Sequence, residues 1–502
     1  MKLSIIEVLT RDEVKRIDEA TMQLLEEVGI VIQSPETKEI FLQSGATLRS
    51  EDENRVLIPT SLIKEQLKKV PKKFSLYGPD GRYSMNINLE SLHFGTFGAA
   101  INTFDPSRKK LIRKSKLKDA IEHLKIVNCV DNISCSHLDV WPSDVPFTEM
   151  HCHLLREWAR YSIKPFGMSC YGKTASSDMM KMISIITGDE AEVLQKPRLI
   201  GIFNPISPLL LPQIQLNGLM VFSKYKQPLL ISASSAAGST APVTLAGSLT
   251  QANAEVLSTI TLSQLINPGS PVFYASTNTI MDPGTGHIAY GAIEMGLLTI
   301  ASAQMARYYR IPSKGSGALT ESKCFDMQNG FERLMGLSCA VNAGHNYITC
   351  AGTYETALSE ALELLLIDNE LIGVLKRARE GISVNDDTIA LEEIKKIALT
   401  TRNYLGTKHS VKNTRKEFYI PKLIDRDKRG KWIQEGSLTI DEKARRRVSE
   451  LLDAFQGPGL SVEKENDIDA FIKQVSKRTL NDYKRLEGIS EKTKINIEGM
   501  NF

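Results

Sequence analysis

Apolar positions at helical spacing follow Thr10, Asp12 and Glu13, which predicts a helix that runs to Glu27, with Gly29 as its stop. A short helix is predicted over PTSLIKEQLKKV, with Pro59 near its start, and strand-like pieces follow at SLYG and YSMNIN. Further on the pattern becomes regular. Short apolar runs recur at 132–140, 164–170, 198–205, 228–234, 271–276, 312–319 and 346–352, the run PSKGSGAL at 312–319 being the weakest. Between them lie long helical patterns, clearest in LAGSLTQANAEVLSTITLSQLI, AIEMGLLTIASAQMARYY and QNGFERLMGLSCAVNAG. Strands roughly 30–45 residues apart with helices between them are parallel βα units. Seven such strands imply an eighth, and so an α/β chain folded as a (β/α)8 TIM barrel. The open doubly wound sheet is the alternative, but no GxGxxG follows the first strand.

The expected division is an N-terminal α+β extension over 1–110, a catalytic barrel over 111–384 and a helical appendage over 385–502. The appendage is charged (LEEIKKIAL, DEKARRRVSELLDAF), and its final EGISEKTKINIEGMNF is expected to be disordered.

Composition narrows the function. The 502 residues are 42% hydrophobic and 24% charged, with a net charge of +3, so no basic excess points to nucleic acid. The seven cysteines are odd in number, scattered and free of any CxxC pair, which argues for a reducing compartment. The start, MKLSIIEVLTRDEVKRIDEA, turns charged by residue 11, and no stretch approaches the roughly 20 apolar residues of a membrane span. A cytoplasmic protein away from membranes is expected. His151 and His153 stand at i, i+2, on different faces of a helix, and Cys135 with His137 is a loose pair. Neither spacing supplies three ligands, so no metal is expected.

A barrel active site lies at the C-terminal strand ends. Those ends read Phe203-Asn204 with Ile206-Ser207, Ser232 to Thr240, Ser276 to Thr279, Gly315 to Glu321 and Ala351 to Glu355. They carry small, hydroxylated and aromatic residues, without paired carboxylates, a nucleophile elbow or a lysine at an obvious strand end. Such a site borrows its reactive group from a cofactor.

The run TAPVTLAGSLTQANAEVLSTITLSQLINPGSPVFYAS resembles the trimethylamine methyltransferase superfamily, as do NPISPL, GAIEMGLL, ESKCFDMQNGFE, NAGHNYI, LLLIDNELIG and LIDR. The resemblance covers almost the whole chain. It implies a TIM barrel that transfers a methyl group from a methylated amine to Co(I) of a separate corrinoid protein. The corrinoid is thus supplied by the partner and not held permanently, and the chain is expected to be a homo-oligomer. The trimethylamine enzyme carries pyrrolysine in a segment like GSGALTESK. Alignment on Lys323, Asp326, Gln328 and Gly330 puts Leu319 at that position. A free tertiary amine needs activation there; a quaternary amine is already cationic and leaves as a neutral amine. Glycine betaine is the favoured substrate, with proline betaine, carnitine or another betaine as alternatives. A zinc enzyme and a barrel that only binds a betaine are the rival readings.

A trimethylammonium group is held by aromatic faces. Candidates are Phe94, Phe97, Phe166, Phe203, Tyr274 and Tyr354, each with an alternative life as a core aromatic. His345 is the expected carboxylate ligand or orienting residue, and Glu321 and Thr320 flank Leu319. Asn204 and Ser207 either bond the substrate or cap their turn. Ser235, Gly238, Ser239 and Thr240 are expected to face the corrinoid, small enough to let a macrocycle approach.

Overall fold

Eight parallel strands close on themselves around one interior. In the computed structural model, which describes residues 5–400, 402–491, 496–497 and 500–501, they are β1 (His93–Phe94), β2 (Ser136–His137), β3 (Phe166–Ser169), β4 (Leu199–Phe203), β5 (Leu229–Ala233), β6 (Val272–Ser276), β7 (Ser313–Ser316) and β8 (Tyr347–Thr349). Each pairs with its sequence neighbour from β2 to β8, and β8 pairs with β1. The parallel bridge of Gly95 with Cys135 shuts the ring between β1 and β2.

A helix follows each strand: α1 (Leu117–Cys129), α2 (Phe147–Tyr161), α3 (Gly172–Thr187), α4 (Gln213–Lys224), α5 (Leu245–Ile266), α6 (Ile293–Tyr309), α7 (Met327–Ala343) and α8 (Leu362–Glu380). The barrel expectation therefore holds. Seven strands fall inside the predicted runs. The eighth, β1, lies within 1–110, so the stretch read as an extension also supplies a barrel strand. Two residues followed by Gly95 leave no periodicity to read.

Strand alternation separates two environments. Ile200, Ile202, Leu230, Phe273 and Tyr347 point into the barrel and pack with Leu76, Met85 and Ile87. Those three come from an antiparallel hairpin, Lys73–Tyr77 with Ser84–Asn88. Tyr77 donates its N–H to the carbonyl of Pro197, just before β4, which places the hairpin across the N-terminal end of the barrel. Ser84–Asn88 buries every second residue, so Met85 and Ile87 plug that end. The outward residues, among them Phe166, Phe203 and Tyr274, join the core shared with the helices.

The helix Arg11–Glu27 starts at Thr10, whose side chain and that of Glu13 form a capping box, and it packs on α5. Of the C-terminal region, Ile440–Asp453 packs against α8 and α1, and Val462–Val475 against α2 and α3. Between them, residues 382–420 bury only Ile397 among their large apolar side chains, while Val384, Leu399, Leu405 and Phe418 stay exposed. The end expected to be disordered lies partly outside the described residues, and Asn496–Ile497 pairs with Met500–Asn501.

Candidate active site

The upper half of the barrel interior is polar. Ser232 Oγ lies 3.0 Å from Thr277 Oγ1, and Thr277 Oγ1 lies 3.2 Å from Ser316 Oγ. Below them Lys314 projects inward from β7, level with Ala275 and Tyr347. Its Nζ donates to Ser316 Oγ at 2.8 Å and to Thr277 Oγ1 at 3.2 Å, with the side chain fully buried. Burial holds its pKa below the usual lysine value.

Across the interior His137 Nε2 meets Tyr347 Oη at 2.6 Å. Gly95 makes this possible, since a Cβ there would stand 1.9 Å from Tyr347 Oη. Burial, reinforced by the Lys314 charge, pushes His137 down to about 3, so its imidazole is neutral. Phe97 leans over the group, 5.6 Å edge-on from His137 and 5.2 Å by its centroid from Lys314 Nζ. Leu319 is 4% exposed and completes a wall with Met295 and Cys350, against which Phe97 and Tyr290 pack. Of the predicted residues, Phe97 and Leu319 therefore come together at the site.

Glu321 and Thr320 act one step back from it. The Glu321 carboxylate accepts the N–H of Tyr290 at 2.6 Å and of Gly291 at 2.5 Å, fixing the loop that carries Tyr290. Burial raises its pKa. Thr320 Oγ1 donates to Glu332 at 2.6 Å. Asn204 Nδ2 reaches the Ser232 carbonyl at 3.1 Å, beside the hydroxyl group. Ser207 donates to Glu255 at 2.8 Å and so holds its own loop.

Six side chains expected at the site lie away from it. His345 precedes β8, so it lies at the opposite end of the barrel from the site. Its ring is buried between strand and helix, with Nδ1 3.0 Å from Ser313 Oγ and Nε2 2.9 Å from the Thr299 carbonyl. Gly315 leaves the space for it; a Cβ there would stand 2.5 Å from His345 Cδ2. Phe94, Phe166, Phe203 and Tyr274 occupy outward strand positions. Phe94 packs with Ile126, Val127 and Leu365 of the helices. Phe166 stacks near Trp158 of α2, and Tyr274 Oη donates to Asn253 of α5. The inward or outward sense of each follows from register, which strand composition does not reveal. Tyr354 is also buried, against Phe325 and Phe104 above the barrel.

Gly238, Ser239 and Thr240 are exposed on the loop after β5, whereas Ser235 is buried and donates to Asn278 Oδ1 at 3.0 Å. Exposed Val243 and Ile206 stand on this loop and its neighbour. The rim thus offers small and apolar surface.

Lys314 and Tyr290 were not singled out from the sequence, whereas Ser232, Thr277 and Ser316 fall within the strand ends read as small and hydroxylated, and His137 was weighed only beside Cys135 as a metal ligand. The one available signal for Lys314 was its place in Ser313-Lys314-Gly315-Ser316, where the hydroxyl two residues on shares its face. Behind the rim, Thr96 Oγ1 donates to Asp139 at 2.5 Å, and His123 lies between Asp139 (3.7 Å) and Glu360 (3.4 Å). Burial pushes the Asp139 carboxyl up to about 7. Cys135 Sγ lies 3.9 Å from His137 Nε2, and burial pushes its thiol up to about 12. Among the described residues one group, His151, Cys152 and Asp178, clusters as metal ligands do. The Asp178 carboxylate there already binds Arg478 at 2.6 Å and His151 at 3.0 Å.

A family model described as trimethylamine methyltransferase matches residues 1–479. A glycine betaine methyltransferase of Desulfitobacterium hafniense (strain Y51) is 32% identical over 474 residues, covering 94% of this chain and 97% of that protein. A trimethylamine methyltransferase of Methanosarcina barkeri is 30% identical over 487 residues, covering 94% and 96%. The crystal structure of the Methanosarcina barkeri monomethylamine methyltransferase shares the fold, with a TM-score of 0.50 at 11% identity over 90% of this chain and 89% of that one.

Proposed function

The chain belongs to the trimethylamine methyltransferase family and is a methyltransferase, and from that premise we propose that it moves a methyl group from a quaternary amine, glycine betaine foremost, to a partner's corrinoid. The observation that carries this reading is Leu319, an inert aliphatic side chain in an apolar wall with Met295 and Cys350. Nothing at that position can activate a free tertiary amine, so the substrate must bring its own positive nitrogen.

When bound, the corrinoid supplies a Co(I) nucleophile that takes the methyl group, while the bond pair stays on nitrogen and a neutral tertiary amine departs. The chain's own work is to desolvate and orient the cation. Phe97 offers a ring face, and Leu319 and Tyr290 exclude water beside it. Glu321 keeps Tyr290 in place through two N–H bonds. Asn204 and the Ser232–Thr277–Ser316 hydroxyls line the floor. The exposed Gly238, Ser239 and Thr240 leave the rim open to the partner.

The reading extends to assembly and place. Exposed apolar side chains between 382 and 420 support contact between copies, and so a homo-oligomer. All seven cysteines are unpaired, in keeping with the cytoplasm. No helix among the described residues is long and apolar enough to cross a membrane. The decisive experiment incubates the protein with a Co(I) corrinoid protein and a panel of betaines while the cobalt spectrum is followed. Methyl-cobalt is expected with glycine betaine; its absence with every betaine overturns the proposal.

A further inference from the structure

Among the described residues three lysines are buried, Lys164, Lys314 and Lys484, and the two beside the barrel strands, Lys164 and Lys314, differ in how their ammonium groups are satisfied. Lys164 Nζ donates to three carbonyls, those of Val127, Val130 and Ile133, at 2.6, 2.6 and 2.7 Å. It has used all its donors and ties α1 to the strands. Lys314 donates to two hydroxyls only, and among the described residues its third N–H has no acceptor and it forms no ion pair. Hydroxyls are weak compensation for a buried charge.

The groups facing Lys314 do not neutralise it. His137 is a neutral imidazole, and Phe97 presents a ring 5.2 Å away. Beside this ammonium the proposed substrate must place a trimethylammonium group. Two like charges in a desolvated pocket repel strongly unless an anion lies between them. A zwitterion supplies that anion itself. Its carboxylate can take the free Lys314 donor together with hydroxyl protons of Ser232, Thr277 or Ser316, while its nitrogen lies against Phe97. Burial weakens the charged form of Lys314, and a carboxylate placed beside it would restore that form.

Resting on the quaternary-amine reading above, we propose that Lys314, with Thr277 and Ser316, grips the substrate's carboxylate and makes the enzyme select zwitterionic quaternary amines over purely cationic ones. The site discriminates against choline or tetramethylammonium by charge as well as by shape. This assigns to Lys314 the anchoring expected of His345, which is buried at the far end of the barrel.

Titration calorimetry of the purified chain, without corrinoid protein, tests it with glycine betaine, choline and tetramethylammonium as ligands. The wild type is expected to bind glycine betaine and to bind both cations at least about tenfold more weakly. Lys314→Met is expected to weaken glycine betaine about 10- to 100-fold and to raise choline binding, collapsing the preference. Ser316→Ala and Thr277→Val, small changes of similar volume, are expected to weaken glycine betaine several-fold and leave choline unchanged. Glycine betaine binding to Lys314→Met at wild-type strength overturns the proposal, as does a wild type that binds choline equally well. If Lys314→Met fails to fold, Ser316→Ala decides, and an unaltered preference there overturns it. Glycine betaine binding by the wild type that Lys314→Met leaves unchanged sinks this inference alone. A wild type that binds none of the three sinks the methyl-donor reading with it.

Discussion

The ammonium of Lys314 stands 5.2 Å from the centroid of the Phe97 ring, inside a barrel whose other aromatic side chains mostly face outward. One ring and one charge thus share the barrel interior, where the proposed substrate would place its positive nitrogen. Phe97→Leu keeps the apolar volume and removes the ring face. It is expected to raise KM about 2- to 30-fold, the worth of one cation–π contact, with kcat within a few fold. An unchanged KM in steady-state assays would place the cation elsewhere.

Leu319 makes a sharper demand on substrate choice. Trimethylamine and dimethylamine are expected to give no methyl-cobalt with this enzyme under conditions where a betaine reacts. Equal rates from trimethylamine, read from the cobalt spectrum, would contradict the role given to the positive nitrogen.

Glu321 is a positioning residue, because it touches the backbone of Tyr290 and Gly291 and not the pocket. Glu321→Gln leaves one of those two N–H groups without its acceptor. A loss of about 1–3 kcal/mol is expected, read as a higher KM with little change in kcat. A fall in kcat at constant KM would instead assign Glu321 a part in the chemistry.

His345 should behave as a core residue. His345→Ala removes the partners of Ser313 and of the Thr299 carbonyl and opens a cavity. A stability loss of roughly 2–4 kcal/mol is expected in denaturant melts, with substrate affinity of the folded fraction unaltered.

Asp139 carries a pH signature. Burial pushes its carboxyl up to about 7 from an ordinary 3.8, with His123 and Glu360 as its titratable neighbours. The folded chain therefore keeps a proton that the unfolded chain releases above about pH 4. This contribution is fully present below about pH 4 and is lost as pH rises through about 7. His123, His137 and His345 are lowered by burial and act in the opposite sense, destabilising the fold as pH falls below about 6.5. A comparison with Asp139→Asn removes the histidine contribution. The variant is expected to melt above the wild type at about pH 8 and level with it at about pH 4.5. A difference that does not vary with pH would mean Asp139 is ionised throughout.

The barrel was legible in the sequence because β3 to β6 are short apolar runs between long helical patterns, and periodicity reads such units directly. β1 was not, since His93–Phe94 is too brief to carry a period. The site was harder. Phe97 and Phe94 sit three residues apart in HFGTFGAA, yet one faces the pocket and the other the helices. That outcome depends on register across the closed ring. Lys314 escaped notice for a related reason: a charged residue inside a strand reads as a weak strand until its neighbours in space are known.

The hairpin that fills the lower end with Leu76, Met85 and Ile87 leaves the barrel blind on that side. In the reaction proposed above, donor, acceptor and spent amine would all use the same doorway. A corrinoid protein seated on the rim would then trap whatever lies below it, and the proposed turnover would be ordered: the small molecule enters first, and the demethylated amine leaves only after the large partner has lifted away.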